Sequence, residues 1–86
     1  MQIEGAVIKE QGVTFAVVVV KAAVLNSTRR ANDSIRAFGP VFSGLPVVLM
    51  AQDGMGRPTY YGRKDLSAFL SRVPLSAIPW KRYSYN

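Results

Sequence analysis

The chain has no cysteine and no histidine among its 86 residues, and only five carboxylates. Disulfide frameworks, thiolate nucleophiles, the usual zinc sites and imidazole acid-base chemistry are therefore excluded together. The acidic residues Glu4, Glu10, Asp33, Asp53 and Asp65 are spaced far apart, so no pair of them reads as a catalytic acid and base. A long apolar run is missing as well. The most apolar stretch, VTFAVVVVKAAVL over residues 13–25, carries Lys21 and falls short of the roughly 18–20 apolar residues that a membrane span needs. The N-terminal MQIEGAVIKEQG has no basic stretch leading into an apolar one, so it does not read as a signal peptide, and the sequence predicts a cytoplasmic protein.

What is present is apolar and basic. With 49% hydrophobic residues and a net charge of +6, the chain describes a single α+β domain over residues 1–86. A domain of this size buries only about 60–65% of its unfolded surface. An apolar fraction this high then predicts hydrophobic surface in need of cover, supplied most simply by a second copy in a homodimer.

QIEGAVIKE reads as a strand, and Gln11-Gly12 as a tight hairpin turn. The apolar stretch of residues 13–25, with its run of four valines, reads as one central strand buried on both faces, because β-branched side chains lose χ1 freedom in a helix and pack well on a pleated surface. Asn26, Ser27 and Thr28 are helix-capping types. Ala31, Ile35 and Phe38 then form one helical stripe that Gly39-Pro40 ends. LPVVLMAQ (residues 45–52) and Thr59-Tyr60-Tyr61 read as a second hairpin joined through DGMGR. Leu66, Phe69, Leu70 and Val73 define a second helix stopped by Pro74, and IPWKRYSY an edge strand.

The resulting order, β-β-α-β-β-α-β, predicts a mostly antiparallel sheet with a ferredoxin-like core, an extra N-terminal strand and two helices packed on one face. Valines on both faces of the second strand predict that the other face is covered by another copy.

Charge and aromatic rings are concentrated in one part of the chain. Residues 57–86 hold six of the eleven basic side chains with only Asp65 opposing them, and they carry Tyr60, Tyr61, Phe69, Trp80, Tyr83 and Tyr85. Interleaved cations and rings suit single-stranded nucleic acid, because cations neutralise phosphate and ring faces stack on any base. The candidate patch for an anion or nucleic acid is Arg57, Tyr60, Tyr61, Arg63, Lys64, Lys81 and Arg82. A solvated cationic face over an ordinary core explains the same residues.

GMGRPT begins like a dinucleotide fingerprint but lacks its third glycine and is followed by a strand, so Asp53, Gly54 and Gly56 read as hairpin residues. Gly62-Arg63-Lys64 opens a helix and reads either as an anion site or as a first turn in which Asp65 is the cap or dipole partner. An RNA recognition motif shares the βαββαβ order, yet Pro58 and Thr59 stand where its consensus has a glycine and an aromatic.

PVVLMAQDGMGRPTYYGRKDLSAFL and IPWKRYSY together resemble small uncharacterised bacterial single-domain proteins of the kind carried in mobile gene cassettes such as those of integrons. The resemblance implies a self-contained, oligomeric α+β domain and brings no activity, cofactor or site residue with it. The sequence thus predicts a non-catalytic binding module with no cofactor, whose partner is a protein or a small apolar ligand. The alternative is nucleic-acid or polyanion binding through the basic, aromatic C-terminal third.

Overall fold

The computed structural model describes residues 1–10 and 12–85. Five strands form one mixed sheet: β1 (Gln2–Glu10), β2 (Val13–Val19), β3 (Val47–Gln52), β4 (Pro58–Tyr61) and β5 (Lys81–Ser84). Their order across the sheet is β4-β3-β2-β1-β5, with β2 and β3 parallel and every other pair antiparallel. The helices are α1 (Ala22–Leu25), α2 (Thr28–Phe38) and α3 (Lys64–Leu70). Short 3-10 turns at Gly39–Phe42 and Leu75–Ala77 follow α2 and α3. The expected turn at Gln11-Gly12 falls partly on Gln11, which lies outside the described residues.

The apolar stretch 13–25 is not one strand. It leaves the sheet after Val19, and Ala22–Leu25, richer in good helix formers than the valine run before it, forms α1. Ser27 caps α2, its side chain accepting a hydrogen bond from the Arg30 N–H at 3.3 Å.

The packing corrects two expectations. The two helices do not share a face of the sheet. Alternate residues of β2 enter different cores: Phe15 and Val17 pack with Val48, Met50, Leu66 and Leu70 on the α3 face, while Ala16 and Val18 pack with Ala31, Phe42, Val47 and Leu49 on the α2 face. The two-faced valine strand therefore needs no second copy, because the chain covers both sides with its own helices.

The core is also not ferredoxin-like in its pairing. In that arrangement another strand separates the two parallel strands of each βαβ unit, whereas β2 and β3 are direct neighbours here. The chain then crosses the whole sheet on the α3 face to place β4 and β5 on opposite edges.

Candidate binding surface

The sheet order scatters the seven residues of the candidate patch. Four steps of about 4.8 Å put β4, with Tyr60 and Tyr61, roughly 19 Å from β5, with Lys81 and Arg82. The two tyrosines also part company. Tyr60 faces the α3 core, where its hydroxyl is buried without a partner and burial raises its pKa. Tyr61 faces α2 and donates its hydroxyl hydrogen to Asn32 Oδ1 at 2.9 Å.

Two of the cations are occupied. Arg63 holds Asp65 through Nε–Oδ1 at 3.0 Å and a second bond of 2.7 Å, so the carboxylate in the first turn of α3 pairs with the cation expected to attract an anion. That hydrogen bond lowers the Asp65 pKa, while the Tyr61 hydroxyl is engaged separately by Asn32. A cavity of about 490 Å³ between α2 and the start of α3 is lined by Asn32, Tyr61, Arg63 and Lys64; Tyr61 is bonded to Asn32 and Arg63 to Asp65, while Lys64 is exposed and forms no ion pair among the described residues.

Arg57 is held by Asp53 in the β3–β4 loop. Asp53 accepts from the N–H groups of Met55 (2.8 Å) and Arg57 (3.0 Å) and from Arg57 Nε (2.9 Å). Gly56 lies at φ +79°, which a side chain would strain. DGMGR is therefore a self-satisfied turn.

The backbone N–H of Arg57, then that of Met55, holds the Asp53 carboxyl below its ordinary pKa. A depressed folded-state pKa contributes stability that is present above the unfolded value and lost as pH falls through the folded one. Asp53→Asn is accordingly expected to lower the thermal midpoint above about pH 4 and to flatten its fall below that pH, where the two proteins converge. An acid limb identical to that of the wild type would show that the loop bonds do not act through Asp53.

The β5 edge is different. Met1 and Tyr85 exchange both backbone hydrogen bonds, N–H to O at 3.0 and 2.9 Å, which sets the phase of the β1–β5 ladder. Lys81 and Tyr83 then bond inward to β1. The N–H and C=O groups of Arg82 and Ser84 point outward, and among the described residues nothing bonds them. The β4 edge offers less, because its pairing turns Pro58 and Tyr60 outward and Pro58 has no N–H.

Beside the β5 edge, on the α2 face, lies an open groove of about 500 Å³ lined by Val7, Val41, Phe42, Leu45 and Tyr83, with Ser43 and Ser84 at its rim. Phe42 and Tyr83 meet edge to face with ring centroids 4.9 Å apart, forming its floor. Val7 is 41% exposed, the one exposed large hydrophobic residue within a described strand or helix. It is bare because β5 pairs with β1 only as far as Gly5.

Sequence reasoning singled out Lys81 and Arg82 but missed the groove beside them. The available signal was the unbroken GAVI run in β1, which places an apolar side chain on each face of a strand that has two charged neighbours.

Among the described residues no group of acidic side chains is placed to hold a metal ion, and no helix is long and apolar enough to cross a membrane. A scan against protein-family models finds no match for the chain, and searches of curated proteins and of solved structures find none either.

Proposed function

We propose that this domain is a non-catalytic binding module that takes a protein partner on the β5 side of its α2 face. The observation that carries this reading is the groove of Val7, Val41, Phe42, Leu45 and Tyr83 lying open beside a sheet edge whose hydrogen-bonding groups are unmet. Apolar surface of this kind, rimmed by polar residues, is a binding surface by its physical chemistry. A protein fits it better than a small apolar ligand, because the groove is shallow and the adjoining edge asks for a backbone. A second copy of the chain is a candidate occupant of the same surface, since both faces of the sheet are already covered.

Nucleic-acid binding by the basic C-terminal third has weaker support. Its seven residues lie on two edges and both faces, and Arg57 and Arg63 are neutralised by Asp53 and Asp65.

A photo-crosslinking side chain placed at Ser43, on the groove rim, tests the reading in the full chain. The expected result is an adduct with one other polypeptide, followed by a complex reconstituted from the two purified proteins and abolished by Tyr83→Asp. Adducts only with nucleic acid, or none at any exposure, would overturn it.

A further inference from the structure

We infer that the partner is an acidic, extended polypeptide segment that adds to the outer edge of β5 as a sixth strand. This deepens the binding-module reading and depends on it.

Three features of the edge specify such a segment. The first is the backbone: Arg82 and Ser84 turn both donors and acceptors outward, and only another extended polypeptide offers acceptors and donors in the same alternation. A phosphodiester chain supplies acceptors alone and would leave the two carbonyl groups facing it unmatched.

The second feature is the pattern of faces. Cross-strand neighbours share a face, so a residue placed opposite Tyr83 projects on the α2 face, toward Phe42 and the groove. Val41, Leu45 and Val7 then line the space that its side chain enters. An apolar residue belongs at that position. Those on either side of it, opposite Arg82 and Ser84, project on the α3 face.

The third is charge. Lys81 and Arg82 are exposed, and neither is in an ion pair among the described residues. Lys81 shares the α2 face with Lys9, which flanks Val7 on β1, whereas Arg82 lies on the α3 face opposite Glu4 and forms no ion pair with it among the described residues. Carboxylates opposite Lys81 and Arg82 complete two cross-strand pairs.

The same charge argues against self-pairing. Two copies of β5 side by side would bring together Lys81 and Arg82 of each strand with no carboxylate on either. The rest of the chain adds to this, at +6 per copy.

The test titrates the isotope-labelled full chain with the peptide Thr-Thr-Val-Glu-Glu-Thr, which runs antiparallel to β5 with valine opposite Tyr83 and the glutamates opposite Arg82 and Lys81. Backbone amide resonances are followed by NMR. Shifts are expected at Lys81–Ser84 and Val41–Ser43, with cross-strand proton contacts to Arg82 and Ser84. The glutamine counterpart of the peptide is expected to bind about 5- to 10-fold more weakly, the loss that two cross-strand ion pairs account for.

Ser84→Pro removes only an outward N–H, so the β1 ladder survives and the spectrum stays dispersed, but peptide binding is lost. A peptide N-methylated on the residues that face Arg82 and Ser84 makes the same test on the unaltered protein. Groove shifts that persist with both Ser84→Pro and the methylated peptide would overturn strand addition and leave the binding-module reading intact. No shift with the peptide would overturn the acidic-segment inference. So would the same edge shifts arising from protein concentration alone or from an oligothymidylate, which would assign the edge to a second copy or to nucleic acid.

Discussion

Phe15→Ala is expected to lower the unfolding free energy by about 3–5 kcal/mol, and Leu49→Ala by about 2–5 kcal/mol, in urea titrations at neutral pH. Both side chains are fully buried, but they lie in different cores. Phe15 sits under α3, with its ring edge to face against Phe69 at a centroid distance of 6.4 Å. Leu49 faces α2 on the neighbouring parallel strand.

A domain of 86 residues has a total stability of roughly 4–13 kcal/mol, so either change removes a large fraction of it. The pair distinguishes a sheet covered on both sides from one covered on a single side. With both helices on one face, the other face would be solvated and one of the two substitutions would cost less than about 1 kcal/mol, as surface changes do. Two large losses confirm a three-layer packing in which neither core is dispensable.

Gly5→Ala is expected to cost about 3 kcal/mol, although it adds a single carbon to a strand. A Cβ at this position would lie 2.6 Å from the Val17 carbonyl oxygen and 3.5 Å from the Phe42 ring. The oxygen belongs to the backbone of a central strand and cannot move aside without disturbing the ladder. The Phe42 ring, in ordinary van der Waals contact with the added methyl, is part of the groove floor, so a shift of β1 away from Val17 also reaches the binding surface.

Gly39→Ala is the control. Gly39 ends α2 in ordinary right-handed geometry with nothing near its missing Cβ, and a change within about 1 kcal/mol of zero is expected there. Equal effects at the two glycines, read from denaturation midpoints, would show that Gly5 is retained for chain flexibility and not for the close approach of β2 and Phe42.

The locations of most elements were legible because their signals are local. β1 occupies the QIEGAVIKE segment read from the sequence, and Ala31, Ile35 and Phe38 lie along the face of α2 that meets the sheet. Capping by Ser27 and the DGMGR turn follow from side chains that bond their own neighbours. The end of β2 was misplaced, because residues 20–25 are as apolar as the strand and only the shift from valine to alanine and leucine separates them.

The candidate patch failed for a different reason. Closeness along the chain brought Arg57, Tyr60, Tyr61, Arg63, Lys64, Lys81 and Arg82 into one list, whereas closeness in space depends on where α3 carries the chain.

The sequence by itself determined the α+β class, the positions of the hairpins and of α2 and α3, and the absence of thiol and imidazole chemistry, since composition and short-range periodicity act within a few residues. The tertiary structure alone decided that the helices lie on opposite faces, that β4 and β5 end on opposite edges, and that Val7, Phe42 and Tyr83 line a common groove. A strand apolar on both sides demands two covers but does not say which segment supplies each. That choice belongs to the long-range packing of the whole chain, and with it the place where a binding surface is left open.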